Sequence, residues 1–127
     1  MKRVIVLAGA LLFLIGCGRQ VKYNPAEWVT YAEQTDFQKT PRYEQTVDYC
    51  RRLADASPMV TYTSFGTSPQ GRELPLLIVD RDGLDTPDKI RQKGRVVMFV
   101  EACIHSGEPD GKDAGLIFIR DMVLGGE

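Results

Sequence analysis

This 127-residue chain lacks the features that mark several classes of protein. It has no excess of basic residues, since 16 lysines and arginines stand against 17 aspartates and glutamates, and this balance argues against a nucleic-acid partner. It also has no internal repeat and no low-complexity tract. Its length suits one small domain or a piece of a larger one.

No apolar run is long enough for a comfortable membrane span. The run over residues 4–15 follows a positively charged start and is typical of a secretory signal. The residues LIGC that end at Cys17 resemble the lipobox of bacterial lipoproteins. We therefore expect a signal peptide over residues 1–16 and a lipid anchor at Cys17 that holds the protein to a membrane. The expected location is the exported side of the cell envelope, at the outer membrane or facing the periplasm if the source has two membranes. An ordinary signal peptide or an uncleaved anchor helix is the alternative.

Cysteine is scarce too, with three residues in the chain. Besides Cys17 there are Cys50, in a helical pattern, and Cys103, at the end of an apolar run. A bridge between these two is open outside the cytoplasm, but a helix position and a buried strand end favour two buried free thiols.

The first half of the chain divides into a tether and a helix. Residues 17–40 have no clear period and are interpreted as a tether, whose Trp28 packs on the domain rather than touching substrate. Thr40-Pro41 then predicts a helix start, and apolar residues recur at helical spacing until Ser57-Pro58.

A β-hairpin pattern follows the helix. Residues 60–67 and 73–80 predict two antiparallel strands joined by a type I turn, and Pro75 indicates an edge or a bulge. After a polar connection with one short helical turn at Thr86-Pro87, residues 109–124 predict a final helix that is apolar over much of its circumference.

The stretch around which the chain is organised is RVVMFVEACIHSGEPDGKDAG, residues 95–115. Its apolar run, residues 96–100, predicts a central strand buried on both faces, and Pro109 then marks a helix start. His105 therefore falls at the carboxyl end of a strand, where ligands bind in open α/β sheets, and Glu108 falls at a helix start. An imidazole and a carboxylate at this spacing can share one Zn²⁺ ion. The alternative is a hydrogen-bonded histidine with a glutamate that caps the helix.

Two motifs in this order resemble a known family. The stretch FGTSPQGREL, residues 65–74, followed by IHSGEP, residues 104–109, resembles the start of a zinc metallocarboxypeptidase of the carboxypeptidase A family. The longer string HSGEPDGKDAG resembles its bacterial branch. The resemblance implies an α/β fold over residues 41–127, the truncated N-terminal part of a mixed-sheet zinc-carboxypeptidase fold. Its elements would be a helix, an antiparallel strand pair, a central buried strand and a helix.

The resemblance also implies a zinc cofactor, with His105 and Glu108 as the first two ligands. In the family a histidine far downstream is the third ligand and a later glutamate is the general base. This chain has one histidine in all, so we expect no catalytic residue within it and interpret it as the incomplete N-terminal portion of a longer enzyme. Asp113 is expected either to orient a ligand from behind or, with Lys112, to lie in a solvated turn.

The implied reaction is hydrolysis of the C-terminal residue of a peptide by zinc-activated water. The substrate would be a peptide with a free C-terminus, and an aminoacyl ester or an amide-linked modified amino acid is also open. The alternative hypothesis is a non-catalytic, lipid-anchored envelope protein that binds a peptide or another ligand on the same scaffold.

Overall fold

The computed structural model describes residues 23–125. In chain order these form a 3₁₀ turn (Pro25–Glu27), α1 (Tyr31–Gln34), α2 (Tyr43–Ala56), β1 (Val60–Thr67), β2 (Glu73–Val79), α3 (Pro87–Gln92) and α4 (Asp110–Leu124). The expected signal peptide and Cys17 lie outside the described residues. Within the described part of the chain, no helix combines the length and apolar character that crossing a bilayer requires.

Helix α2 forms because apolar side chains recur along one of its faces. The residues buried on it are Val47, Tyr49, Cys50 and Leu53. The predicted helix is confirmed, although it begins at Tyr43 rather than at Pro41. The reason is local, since the Arg42 backbone amide donates to Oε1 of Gln45 at 2.8 Å and so caps the helix at that point.

The predicted hairpin is confirmed, with β1 and β2 paired antiparallel. The amide of Gly71 donates to the carbonyl of Ser68 at 2.9 Å, which closes the predicted turn. The register shifts between Ser64 and Gly66, and Pro75 lies opposite Ser64 at this irregularity. Proline cannot donate to the ladder, so its place beside a bulge is the one that its chemistry predicts.

The core lies where α2, β1 and α4 meet. Its buried members are Trp28, Tyr49, Cys50, Leu53, Val60 and Leu116. Helix α4 turns Asp113, Leu116 and Arg120 inward, because residues three and four apart share one helix face. Phe118, on another side of the same helix, is 61 % exposed.

Trp28 fastens the N-terminal segment to this core, as predicted. Its indole meets the Tyr49 ring edge-on with centroids 6.1 Å apart, and the Arg52 guanidinium lies 4.7 Å from the indole centroid. The Tyr49 hydroxyl donates to the Trp28 carbonyl at 2.6 Å. An aromatic pair, a cation–π contact and a buried hydrogen bond therefore hold one residue in place.

The connection after β2 is ordered by its own polar contacts. Helix α3 begins where predicted, since the Thr86 hydroxyl accepts from the Lys89 amide at 3.4 Å. Arg95 forms ion pairs with both Asp80 and Asp82 and so fixes the start of the next segment to the end of β2. Burial alone would raise the pKa of Asp80, but hydrogen bonds led by the one from Arg95 hold it below its usual value.

Residues 96–100 depart from the prediction of a central buried strand. They form no strand, and their exposed fractions run from 66 % at Val97 to 96 % at Val96. A strand is buried on both faces only where neighbouring strands pair its backbone and helices cover it. Across residues 23–125 the sheet has two strands, β1 and β2, which pair with each other. The predicted mixture of helices and an antiparallel strand pair is confirmed. The prediction of a third, buried strand over residues 96–100 is wrong.

Candidate metal-ligand turn

His105 and Glu108 lie together in a tight turn that leads into α4. The Glu108 amide donates to the His105 carbonyl at 3.0 Å, which closes the turn. The two side chains meet on its outside, with Nδ1 of His105 and Oε2 of Glu108 3.1 Å apart. Their side chains are 76 % and 72 % exposed, so both donors are open to a ligand from solvent.

The spacing of these two atoms fits a shared zinc ion. Zinc bonds of about 2.0–2.2 Å at the tetrahedral angle place two ligand atoms about 3.4 Å apart. The observed 3.1 Å is within a few tenths of that edge. The distance between the two atoms is therefore compatible with two ligands of one metal ion.

The turn supplies two donors rather than a complete shell. Among residues 23–125, no group of three or more His, Cys, Asp or Glu side chains is placed to hold a metal ion. A tetrahedral site with three protein ligands and one open position is the usual catalytic arrangement for zinc. His105 and Glu108 by themselves are two possible donors, one fewer than that arrangement takes from the protein.

Cys50 on α2 and Cys103 just before the turn have different surroundings. Both thiols are free, as predicted, and burial raises the pKa of Cys50 to about 11. Cys103 was expected to be buried and is instead exposed, with φ +60°. The cause is the same as for residues 96–100, because the strand that would have buried its thiol does not form.

Asp113 and Lys112 are not in a solvated turn. Their side chains are 12 % and 18 % exposed, and the Lys112 ammonium donates to Oδ1 of Asp113. It also donates to the Thr40 hydroxyl at 2.8 Å, across 72 positions of sequence. The Asp113 carboxylate is thus bonded to Lys112, on the inward face of α4, and the structure joins it to the N-terminal segment through that lysine.

The buried cation Arg120 was missed by sequence reasoning. Its guanidinium donates to the Trp28 carbonyl at 3.1 Å and to Oε2 of Glu33 at 2.6 Å. Burial alone would raise the pKa of Glu33, but hydrogen bonds from Arg120 and Thr30 outweigh it and lower the pKa. The available signal was an arginine four positions after Leu116 on an apolar helix face.

Comparison with known proteins adds one match. The family described as zinc carboxypeptidase matches residues 46–125 of this chain. That span contains the hairpin, the turn with His105 and Glu108, and α4. No curated protein and no solved structure matches.

Proposed function

Because this chain belongs to the zinc carboxypeptidase family, we propose that His105 and Glu108 are two zinc ligands of a metallocarboxypeptidase that removes the C-terminal residue of peptides. The observation that carries the proposal is the 3.1 Å approach of the two side chains on an exposed turn. A neutral imidazole nitrogen and a carboxylate oxygen are both ligands that zinc accepts.

In this reaction His105 and Glu108 would hold the zinc ion and fix its position. Zinc, when bound, supplies Lewis acidity that lowers the pKa of a water and polarises a carbonyl. His105 presents Nδ1 and Glu108 presents a carboxylate, and the hydrogen bond between the Glu108 amide and the His105 carbonyl keeps the two on the same side of the chain. The substrate is a peptide with a free C-terminal carboxylate.

The 127 residues contain one histidine, so they supply one of the two imidazoles of a His₂Glu zinc site. We propose that these residues by themselves bind zinc weakly and hydrolyse no peptide, since two ligands leave the shell open and no general base is assigned among them. Release of C-terminal amino acids by the purified 127 residues in the presence of zinc would contradict this part of the proposal.

We also propose that a lipid on Cys17 anchors the protein to a membrane. The apolar run of residues 4–15 and the LIGC motif ending at Cys17 support a lipid anchor on the exported side of the cell envelope. Labelled palmitate fed to expressing cells should enter the wild-type chain and not the Cys17→Ser variant. Equal labelling of the two proteins would refute the anchor.

Zinc binding can be measured directly because the chain has a single histidine. In the full chain, kept in mild detergent, the His105 imidazole gives one set of NMR signals, and zinc chloride should shift them with saturation. Glu108→Gln should weaken this response at least about tenfold, because a ligand is lost while the probe remains.

The matched control is Glu101→Gln, which changes an exposed carboxylate just before the turn. It should leave the zinc dissociation constant unchanged. Equal zinc affinity of the wild-type chain and the Glu108→Gln variant would show that Glu108 is not a ligand.

A further inference from the structure

The N-terminus of α4, which directly follows the ligand turn, has no side-chain cap. Pro109 occupies the cap position and makes no side-chain hydrogen bond there. Its carbonyl accepts the amides of Lys112 and Asp113 at 3.0 and 3.1 Å, so the first helical turn begins one residue after Glu108. Uncapped first turns fray, because their amides have no partner within the helix. Fraying here would release the backbone that carries Glu108.

Lys112 stands in this first turn against the electrostatic preference. The N-terminus of a helix carries partial positive charge, so a cation is disfavoured there and anions such as Asp110 and Asp113 are favoured. The Lys112 side chain is nevertheless only 18 % exposed, and its ammonium donates to the Thr40 hydroxyl at 2.8 Å and to the Asp113 carboxylate. A charged group with two acceptors makes strong hydrogen bonds in such a place. Its position indicates a role in fixing the turn.

The partner of Lys112, Thr40, lies in an exposed stretch that follows a segment bonded to α4. Thr40 follows the segment in which Trp28 and Glu33 are bonded to Arg120, near the other end of α4. Lys112 and Arg120 are eight positions apart, about 12 Å along a helix. The segment before residue 46, where the family match begins, is thus fastened to α4 at two points.

We propose that Lys112 is a positioning residue for the metal-ligand turn. Its bond to Thr40 ties the uncapped first turn of α4 to the N-terminal segment, and so keeps Glu108 within reach of the imidazole of His105. This inference rests on the proposed role of His105 and Glu108 as zinc ligands. Lys112 touches neither substrate nor metal and acts through the helix start.

The test is zinc titration of the full chain in mild detergent, with zinc chloride as the probe and the His105 imidazole signals as readout. Lys112→Met removes the ammonium, and Thr40→Val removes the same hydrogen bond from the other end. Each should raise the zinc dissociation constant by about 3- to 10-fold, at the lower end of the effect of outer residues on metal sites. Lys112→Arg, which keeps the cation, should recover most of the affinity.

Two controls separate positioning from general destabilisation. Lys89→Met breaks an exposed ion pair with Asp85, and Leu53→Ala weakens the core. Both should leave the zinc dissociation constant of the folded protein unchanged. If Lys112→Met fails to fold, Thr40→Val still decides, because it changes one hydroxyl for a methyl of similar size.

The outcomes distinguish the two proposals. A wild-type chain whose His105 signals do not respond to zinc overturns the ligand assignment and, with it, the positioning role. A wild-type response that Thr40→Val and Lys112→Met leave unchanged overturns the positioning role alone. Weaker binding in both variants with recovery in Lys112→Arg supports it.

Discussion

Replacing Arg120 by methionine should detach the N-terminal segment from α4. The Arg120 side chain is 9 % exposed and makes three polar contacts. Two of them reach across more than 80 positions of sequence, to the Trp28 carbonyl and the Glu33 carboxylate. Methionine keeps most of the length and the apolar stem of arginine but offers no donor. The variant therefore tests the polar contacts more than the packing.

The expected loss in the free energy of unfolding depends on the hydrogen bonds that the partners of Arg120 retain in the variant. The Trp28 carbonyl retains the Tyr49 hydroxyl at 2.6 Å, and Glu33 retains the Thr30 amide at 2.7 Å. The third contact, to Asp121, involves a side chain that is 47 % exposed and contributes little. Breaking a buried ion pair costs about 3–5 kcal/mol when the remaining charge is left alone. Since these partners are not left alone, we expect a loss of about 2–3 kcal/mol in the free energy of unfolding.

Two spectroscopic probes can separate local from global unfolding. The chain has one tryptophan, Trp28, which is 7 % exposed and lies at the site of the change. Urea titrations of the full chain in mild detergent should show the fluorescence transition of Arg120→Met at lower urea than its far-UV circular dichroism transition. In the wild-type protein the two transitions should lie closer together.

The comparison variant is Arg91→Met, which breaks an ion pair whose arginine is 71 % exposed. It should change the free energy of unfolding by less than about 0.5 kcal/mol. If Arg120→Met is no more destabilising than Arg91→Met, the polar contacts of Arg120 do not hold the segment and the reasoning fails.

Three further predictions concern the core, the pH dependence and the thiols. Leu53→Ala, at a fully buried position, should lower the free energy of unfolding in urea by about 2–5 kcal/mol. Phe118→Ala, on the exposed side of α4, should lower it far less. Equal losses would contradict the burial of Leu53 in the core. The pKa of Glu33 is lowered by folding, so its stabilisation is complete above its usual value of 4.5 and is lost as pH falls through the lower folded value. The stability advantage of wild type over Glu33→Gln should therefore shrink on acidification, and a constant difference would argue against the ion pair. Iodoacetamide at pH 8 should label the exposed Cys103 quickly and spare Cys50, because burial raises the pKa of Cys50 to about 11. Peptide mass spectrometry maps the labelled residues, and equal labelling would contradict the burial of Cys50.

Local sequence predicted most of the regular structure correctly. The turn at Ser68 to Gly71, the irregularity beside Pro75 and the short helix after Thr86 depend on backbone preferences of proline and glycine and on caps within four residues. The approach of His105 to Glu108 is likewise between near neighbours in sequence, because the Glu108 amide and the His105 carbonyl close a four-residue turn. The family resemblance also came from contiguous motifs, and the match over residues 46–125 agrees with it.

Local sequence patterns did not predict the burial of residues whose surroundings depend on distant partners. The apolar run of residues 96–100 has the composition of a buried strand, but burial needs neighbouring strands, and those present among residues 23–125 pair with each other. Cys103 is exposed for the same reason. An apolar pattern records that a segment can be buried, and only its neighbours decide whether it is.

The sequence by itself determined the helix, the hairpin and the turn that places His105 near Glu108, because each is built from interactions between residues close in sequence. The tertiary structure alone decided the contacts of Lys112 and Arg120, which bond to Thr40, Trp28 and Glu33 across more than 70 positions. A charge on an otherwise apolar helix face is unfavourable until a distant acceptor meets it, and no local pattern specifies that acceptor. These long-range hydrogen bonds are what make the segment before the matched region part of the folded unit that carries the ligand turn.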